Sequence, residues 1–181
     1  YGLVGSEMCI RDRMGMAMSV SLASCGDDDD DNGPVVPETG KIEKVTITYE
    51  ADLSEDYLNF FAVESAYTNI TGQTVKENID TEAYQQVITG ENLDVYPTEC
   101  SFAVTANTKT DIPDINPDKV YTLDYSCKVI IYVYRTGKKE PERVDPGMVK
   151  TAHMTIYGSE LVNYVKKSHK LCDLTYTIPE K

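Results

Sequence analysis

Val120–Arg135 reads VYTLDYSCKVIIYVYR, and its alternation decides the fold class. Tyr121, Leu123, Tyr125, Cys127, Val129, Ile131 and Val133 occupy successive odd positions. Side chains two apart share one face of a strand, so the stretch is predicted as a single long strand with an unbroken apolar face, central in its sheet.

The same period recurs on both sides of it. Val45, Ile47 and Tyr49 alternate with Lys44, Thr46 and Thr48, and the acidic stretch Asp52 to Asp56 ends that strand. Tyr57 to Thr68 reads as a second strand, and Asn69 to Thr74, with Gly72, reads as a hairpin turn into Val75 to Ile79. Tyr84 to Thr89 fits a strand or a helical turn. Glu99 to Asn107 sets Cys100, Phe102, Val104 and Ala106 on one face, and Met148 to Tyr157 aligns Met148, Ala152, Met154 and Ile156. Leu171 to Ile178 closes the chain with Cys172, Leu174, Tyr176 and Ile178 together. One helix is predicted over Glu160 to Ser168, capped by Ser159, with Leu161, Val162, Tyr164 and Val165 on one side and Lys166 and Lys167 near its end. Short strands, turn signals and no repeated strand–helix unit give an all-β fold. The expectation is a two-sheet antiparallel immunoglobulin-like sandwich with one short helix near the C-terminus. Thirteen tyrosines, against three Phe and no Trp, suit half-buried strand faces.

The chain has 181 residues, and a sandwich over 41–181 accounts for one domain. Hydrophobic residues make up 41% and charged ones 26%, and no stretch approaches the roughly 18 apolar residues of a membrane span. Net charge is −13, of which Asp27, Asp28, Asp29, Asp30 and Asp31 supply five units in one run. Nucleic acid and anionic lipid are poor partners for such a surface.

Residues 1–24 are expected to be removed. Tyr1 to Arg13, YGLVGSEMCIRDR, share no compositional logic with the rest and resemble the translated sequencing-adapter peptide found at the ends of metagenomic gene models; the alternative is a signal-peptide front end with Arg11 and Arg13 as its positive charge. From Met14 the chain reads MGMAMSVSLASC, and Leu22-Ala23-Ser24-Cys25 resembles the lipobox of bacterial lipoproteins. The resemblance implies cleavage before Cys25 and lipid on its thiol. Because one acyl chain holds a protein only marginally, at ~0.8 kcal/mol per buried methylene, two or three chains on one cysteine are what make attachment durable. The five aspartates after Gly26 resemble the export signal of Bacteroidota surface lipoproteins, which implies the outer face of the outer membrane. With NGPVVPETG at 32–40 they form an extended, self-repelling spacer over 25–40, whose reach is on the order of 50 Å.

Within the domain, Cys100, Cys127 and Cys172 each fall on an apolar strand face, which suits small buried hydrophobes. In an oxidising compartment one inter-strand disulfide is the alternative, with Cys100 and Cys127 the expected pair. His153 and His169 read as solvated surface residues, and no CxxC or HxxxH spacing suggests zinc. Asp111, Asp114, Asn116 and Asp118 crowd one loop and invite calcium, but the spacing lacks the glycine and terminal glutamate of an EF-hand, and Pro113 and Pro117 favour a plain turn. No nucleophile elbow and no phosphate-binding glycine loop is present in the sequence. No catalytic residue and no cofactor is assigned.

The expectation is therefore a surface lipoprotein, bound to the membrane through Cys25, whose β domain is a non-enzymatic binding or structural module with an unknown protein or glycan partner. Two alternatives stand beside it. One is an envelope or glycan-processing enzyme whose site assembles only in three dimensions. The other is a subunit of a surface fibre.

Overall fold

Alternation governs the first strand, where Val45, Ile47, Tyr49, Ala51 and Leu53 turn inward along Ile42–Leu53 (β1) and the residues between them stay partly wet. The computed structural model describes residues 40–90 and 97–179. After β1 come the helix Glu55–Phe60 (α1) and the strands Phe61–Thr68 (β2), Thr74–Ile79 (β3), Ala83–Gly90 (β4), Glu99–Thr108 (β5), Val120–Thr122 (β6) and Tyr125–Arg135 (β7). The short strands Glu142–Arg143 (β8), Val149–Ala152 (β9) and Thr155–Tyr157 (β10) lead to the helix Gly158–Tyr164 (α2) and the last strand, His169–Thr177 (β11).

Two antiparallel sheets form the expected all-β sandwich. One sheet runs β4-β1-β7, with β8 and β9 both pairing to the far edge of β7; the other runs β11-β5-β2-β3. Register brings like faces together: Ile47 lies opposite Ile88 on one side and Ile131 on the other, while Val63 lies opposite Ile79 and Ala106. The inward residues of both sheets meet in one core, and Tyr49, Phe102, Ile131 and Leu123 are among its fully buried side chains. A Leu or Phe buried in this way contributes about 1.5–3 kcal/mol. Tyr49 packs between Tyr67 and Phe102, each with its ring centroid 5.3 Å away, and donates its hydroxyl to the Thr68 carbonyl at 2.8 Å. A phenol can sit in a core only when its hydroxyl finds such a partner.

The expected strand from Val120 to Arg135 is interrupted at Leu123-Asp124. The cause is the length of β1, whose last residue, Leu53, pairs with Tyr125. Beyond that level the chain changes partner. Leu123 N–H donates to the Met154 carbonyl, and Asp124 exchanges bonds with Ser54, its N–H donating to Ser54 Oγ at 3.0 Å and its carbonyl receiving Ser54 N–H at 2.9 Å. The facing stretch from Met148 to Tyr157 breaks at the same height, so β9 follows β7 while β10 pairs with β6. The inward phase survives the break, since Tyr121, Leu123, Cys127, Val129, Ile131 and Val133 are all buried.

Two further differences concern helices. The predicted strand from Tyr57 begins as the short helix α1, with Glu55 and Asp56 in its first turn, where carboxylates suit the exposed N–H groups; Asp56 also receives the Thr122 N–H at 2.7 Å. Helix α2 starts at Gly158 and ends at Tyr164, earlier at both ends than expected, and Ser159 is not its cap. The turn at 116–119 does that work: Gly158 N–H donates to the Lys119 carbonyl at 2.9 Å and Ser159 N–H to the Pro117 carbonyl at 3.2 Å. Leu161 and Val165 are buried beneath the helix, whereas Val162 is exposed. The segment 84–89 is part of strand β4.

Candidate functional site

The mismatch between the two sheets creates a concavity. β9 extends the first sheet beyond β7, and nothing in the second sheet covers it fully, since that sheet ends at β11. All four β9 residues are exposed in consequence. The gap between β9, β11 and the end of α2 is a half-open cleft of about 380 Å³. Its floor is Leu123 and Leu171, both buried, and its walls carry Tyr57, Tyr125, Tyr164 and His169, with Ser168 and Lys170 at the mouth.

The walls are held rigidly by ring contacts. His169 lies flat on Tyr164, with centroids 3.8 Å apart and planes 9° from parallel. Phe61 meets both rings edge-on, at 6.0 and 5.6 Å. Tyr57 is packed against Phe61 at 5.7 Å and Tyr125 at 6.1 Å. The His169 ring is fixed a second time by a 2.9 Å hydrogen bond between Nε2 and the Tyr164 carbonyl. A carbonyl only accepts, so Nε2 carries the proton and Nδ1 is the nitrogen left for other partners. Burial, reinforced by the neighbouring Tyr164 phenol, pushes the Tyr57 phenol well above the ordinary tyrosine range; burial also raises Tyr125. These phenols are neutral donors and acceptors, and not proton-transfer groups, near neutral pH.

No carboxylate lines the cleft. Asp124 and His153 alternate with lining residues in sequence, and therefore point elsewhere: His153 Nδ1 meets Asp124 Oδ1 at 2.7 Å, with the His153 side chain 72% exposed. Asp124 also receives the Met154 N–H. His153 is the solvated residue expected. His169 is not, because the stack on Tyr164 half-buries it.

The cysteines are arranged differently from the expected pair. Cys100, Cys127 and Cys172 are all free and buried. Cys127 on β7 faces the sheet that carries both Cys100 on β5 and Cys172 on β11, and the cysteine beside it is Cys172, whose thiol donates to the Phe102 carbonyl at 3.7 Å. The neighbouring Cys172 thiol, and then burial, hold Cys127 well above the ordinary thiol range, and burial pushes Cys100 up to about 12. All three are buried as small core groups.

The acidic loop has a structural occupation. Asn116 receives the Asp118 N–H on Oδ1 at 3.0 Å, its own N–H donates to the Tyr121 hydroxyl at 2.9 Å, and its carbonyl receives the Lys119 N–H. Asp111, Asp114 and Asp118 are exposed and do not converge with it on a common point; among the described residues no three His, Cys, Asp or Glu side chains form a metal-holding group. Cys25 and Asp27, Asp28, Asp29, Asp30 and Asp31 lie outside the described residues.

The cleft residues were not singled out by spacing, because Tyr57, Tyr125 and Tyr164 stand in three separate segments. One signal was present: Lys166-Lys167-Ser168-His169-Lys170 puts three lysines and a histidine in five residues of a strongly acidic chain. No family model, no curated protein and no solved structure matches this chain.

Proposed function

We propose that this chain is a lipid-anchored protein of the outer-membrane surface whose sandwich is a non-enzymatic binding module. The observation that carries the binding half is the make-up of the cleft: aromatic walls, two apolar floor residues and a basic mouth, with no carboxylate in the lining. Concave, mostly apolar sites with a few fixed polar groups are what bind small ligands and side chains. Glycosidic hydrolysis calls for a pair of carboxylates across the substrate, and the one histidine–carboxylate pair near the cleft lies outside its lining. The anchoring half rests on Leu22-Ala23-Ser24-Cys25 and the aspartate run that follows.

Metabolic labelling with an alkyne fatty acid, followed by protease treatment of intact cells, tests the anchor. The expected result is label that disappears in Cys25→Ala and a domain degraded without lysis. An unlabelled protein, or one protected until the cells are broken, overturns it.

A further inference from the structure

The cleft combines two properties that single out one class of ligand. Its walls are aromatic, and a sugar ring offers a matching apolar face of C–H groups bordered by hydroxyls. Its mouth is basic in a chain of net charge −13, since the run Lys166-Lys167-Ser168-His169-Lys170 forms one side and contributes Ser168, His169 and Lys170 to the lining. We propose that the cleft binds an acidic sugar residue, a pyranose ring bearing a carboxylate, with Tyr125 and Tyr164 against the ring, the buried Tyr57 behind them, and Lys170 on the anion. The proposal rests on the binding-module reading above.

Volume and polarity agree with it. About 380 Å³ falls within the range of small-ligand sites, roughly 300–1,000 Å³, and accommodates one or two sugar rings. With His169 Nε2 bonded to the Tyr164 carbonyl, Nδ1 of the neutral ring is an acceptor suited to a sugar O–H. Ser168 and the Tyr125 phenol supply further hydroxyls at the wall. Lys170 is paired with Asp173, but both side chains are more than half exposed, and an exposed pair is worth about 0–1 kcal/mol. The ammonium can therefore turn to a ligand carboxylate at little cost. Asp124 and Asp56, each next in sequence to a wall tyrosine, are already engaged, Asp124 by His153 and the Met154 N–H and Asp56 by the Thr122 N–H. An anion entering the cleft thus meets the Lys170 ammonium and no carboxylate in the lining, and charge complementarity of this kind favours its approach.

The test is an NMR titration of the full, isotope-labelled chain carrying Cys25→Ser, with sodium glucuronate, glucose and sodium acetate at constant ionic strength. Glucuronate is expected to shift the signals of Tyr57, Tyr125, Tyr164 and His169, with affinity about fivefold or more above glucose, while acetate leaves the rings unmoved. Lys170→Glu, an exposed change whose folding the same spectra report, is expected to weaken glucuronate about tenfold and leave glucose unchanged. Equal response to glucose and glucuronate overturns the acidic specificity and leaves a sugar-binding module. Cleft signals unmoved by either sugar overturn the proposal altogether. Conversion of a sugar, seen as new ligand signals, overturns the non-enzymatic reading instead.

Discussion

Arg143 grips Asp145 with two nitrogens, Nε at 2.9 Å and Nη2 at 2.8 Å, and the held carboxylate reaches past it to receive the Ile131 N–H, also at 2.9 Å. Asp145 thereby stands in for a strand partner where β8 has ended and β9 has not begun, and its side chain is 0% exposed. Burial works to raise its pKa, but the Arg143 bond and the Ile131 and Gly147 N–H groups outweigh it and hold the carboxyl below its ordinary value. Asp145→Ala strips the Ile131 N–H of its acceptor and is expected to cost about 2–3 kcal/mol in urea unfolding, with Asp145→Asn milder because it keeps an acceptor. The folded pKa is depressed, so this contribution is complete above about pH 4 and is lost as pH falls through the folded value. Equal acid sensitivity of the wild type and Asp145→Asn would refute the assignment.

Tyr49 predicts the behaviour at the other end of the pH scale. Its phenol is raised far above the ordinary range by burial, with smaller contributions from Cys100 and Tyr67. A folded pKa above the unfolded one means that the contribution is full below about pH 10 and declines as pH rises further, because only the unfolded chain releases the proton readily. Tyrosinate absorbance should therefore develop in two stages, exposed phenols first and Tyr49 only together with loss of the circular dichroism of the sheet. Tyr49→Phe removes the bond to the Thr68 carbonyl, costs about 1 kcal/mol at neutral pH and flattens the alkaline decline. Gradual ionisation of all tyrosines in a protein that stays folded would contradict it.

The thiols give a third prediction. Cys100, Cys127 and Cys172 are buried and should resist alkylation in the folded protein, and at Cys100, pushed up to about 12 by burial, raising the pH from 7 to 9 should not speed the reaction. Under a mild oxidant, where two thiols together give up two protons and two electrons, the cross-link expected by peptide mapping is Cys127–Cys172. Finding Cys100–Cys127 instead would overturn this arrangement, in which Cys172 of the facing sheet, and not Cys100, stands beside Cys127.

How much of this was legible in the sequence depends on whether a feature is local. The inward phase of Val45–Tyr49, Cys100–Ala106 and Tyr121–Val133 could be read because a strand repeats every two residues whatever it packs against. The breaks at Leu123-Asp124 and His153-Met154 could not, for they are set by where β1 stops, 70 and 100 residues away in sequence. The same limit hid the cleft. Its tyrosines sit at the starts of β7 and α1 and at the end of α2, and only the overhang of β9 past β11 brings their segments to one place. Cys100 and Cys127 looked like neighbours because their segments are adjacent in the chain, but the cysteine that meets Cys127 across the sandwich is Cys172, on the last strand.

Gly158 shows how tightly that long-range arrangement is drawn, and it carries the last prediction. A Cβ there would stand 1.9 Å from the Asn116 carbonyl oxygen and 3.0 Å from Pro117 Cα, both backbone atoms that cannot swing aside. Gly158→Ala must push the 116–119 turn off the end of α2, which strains the bonds from Gly158 and Ser159 to Lys119 and Pro117 and the one from Asn116 to Tyr121. The expected cost is about 3 kcal/mol, at the upper end for overpacking. Gly72→Ala is the comparison: Gly72 has open space around it but a φ of +79°, so the loss should be about 1 kcal/mol, from backbone strain alone. Because α2 carries Tyr164, only the Gly158 change should also disturb the Tyr164–His169 stack, visible as shifted ring signals. If Gly158→Ala proves no worse than Gly72→Ala and leaves that stack alone, the turn at 116–119 is not what seats the helix beside the cleft.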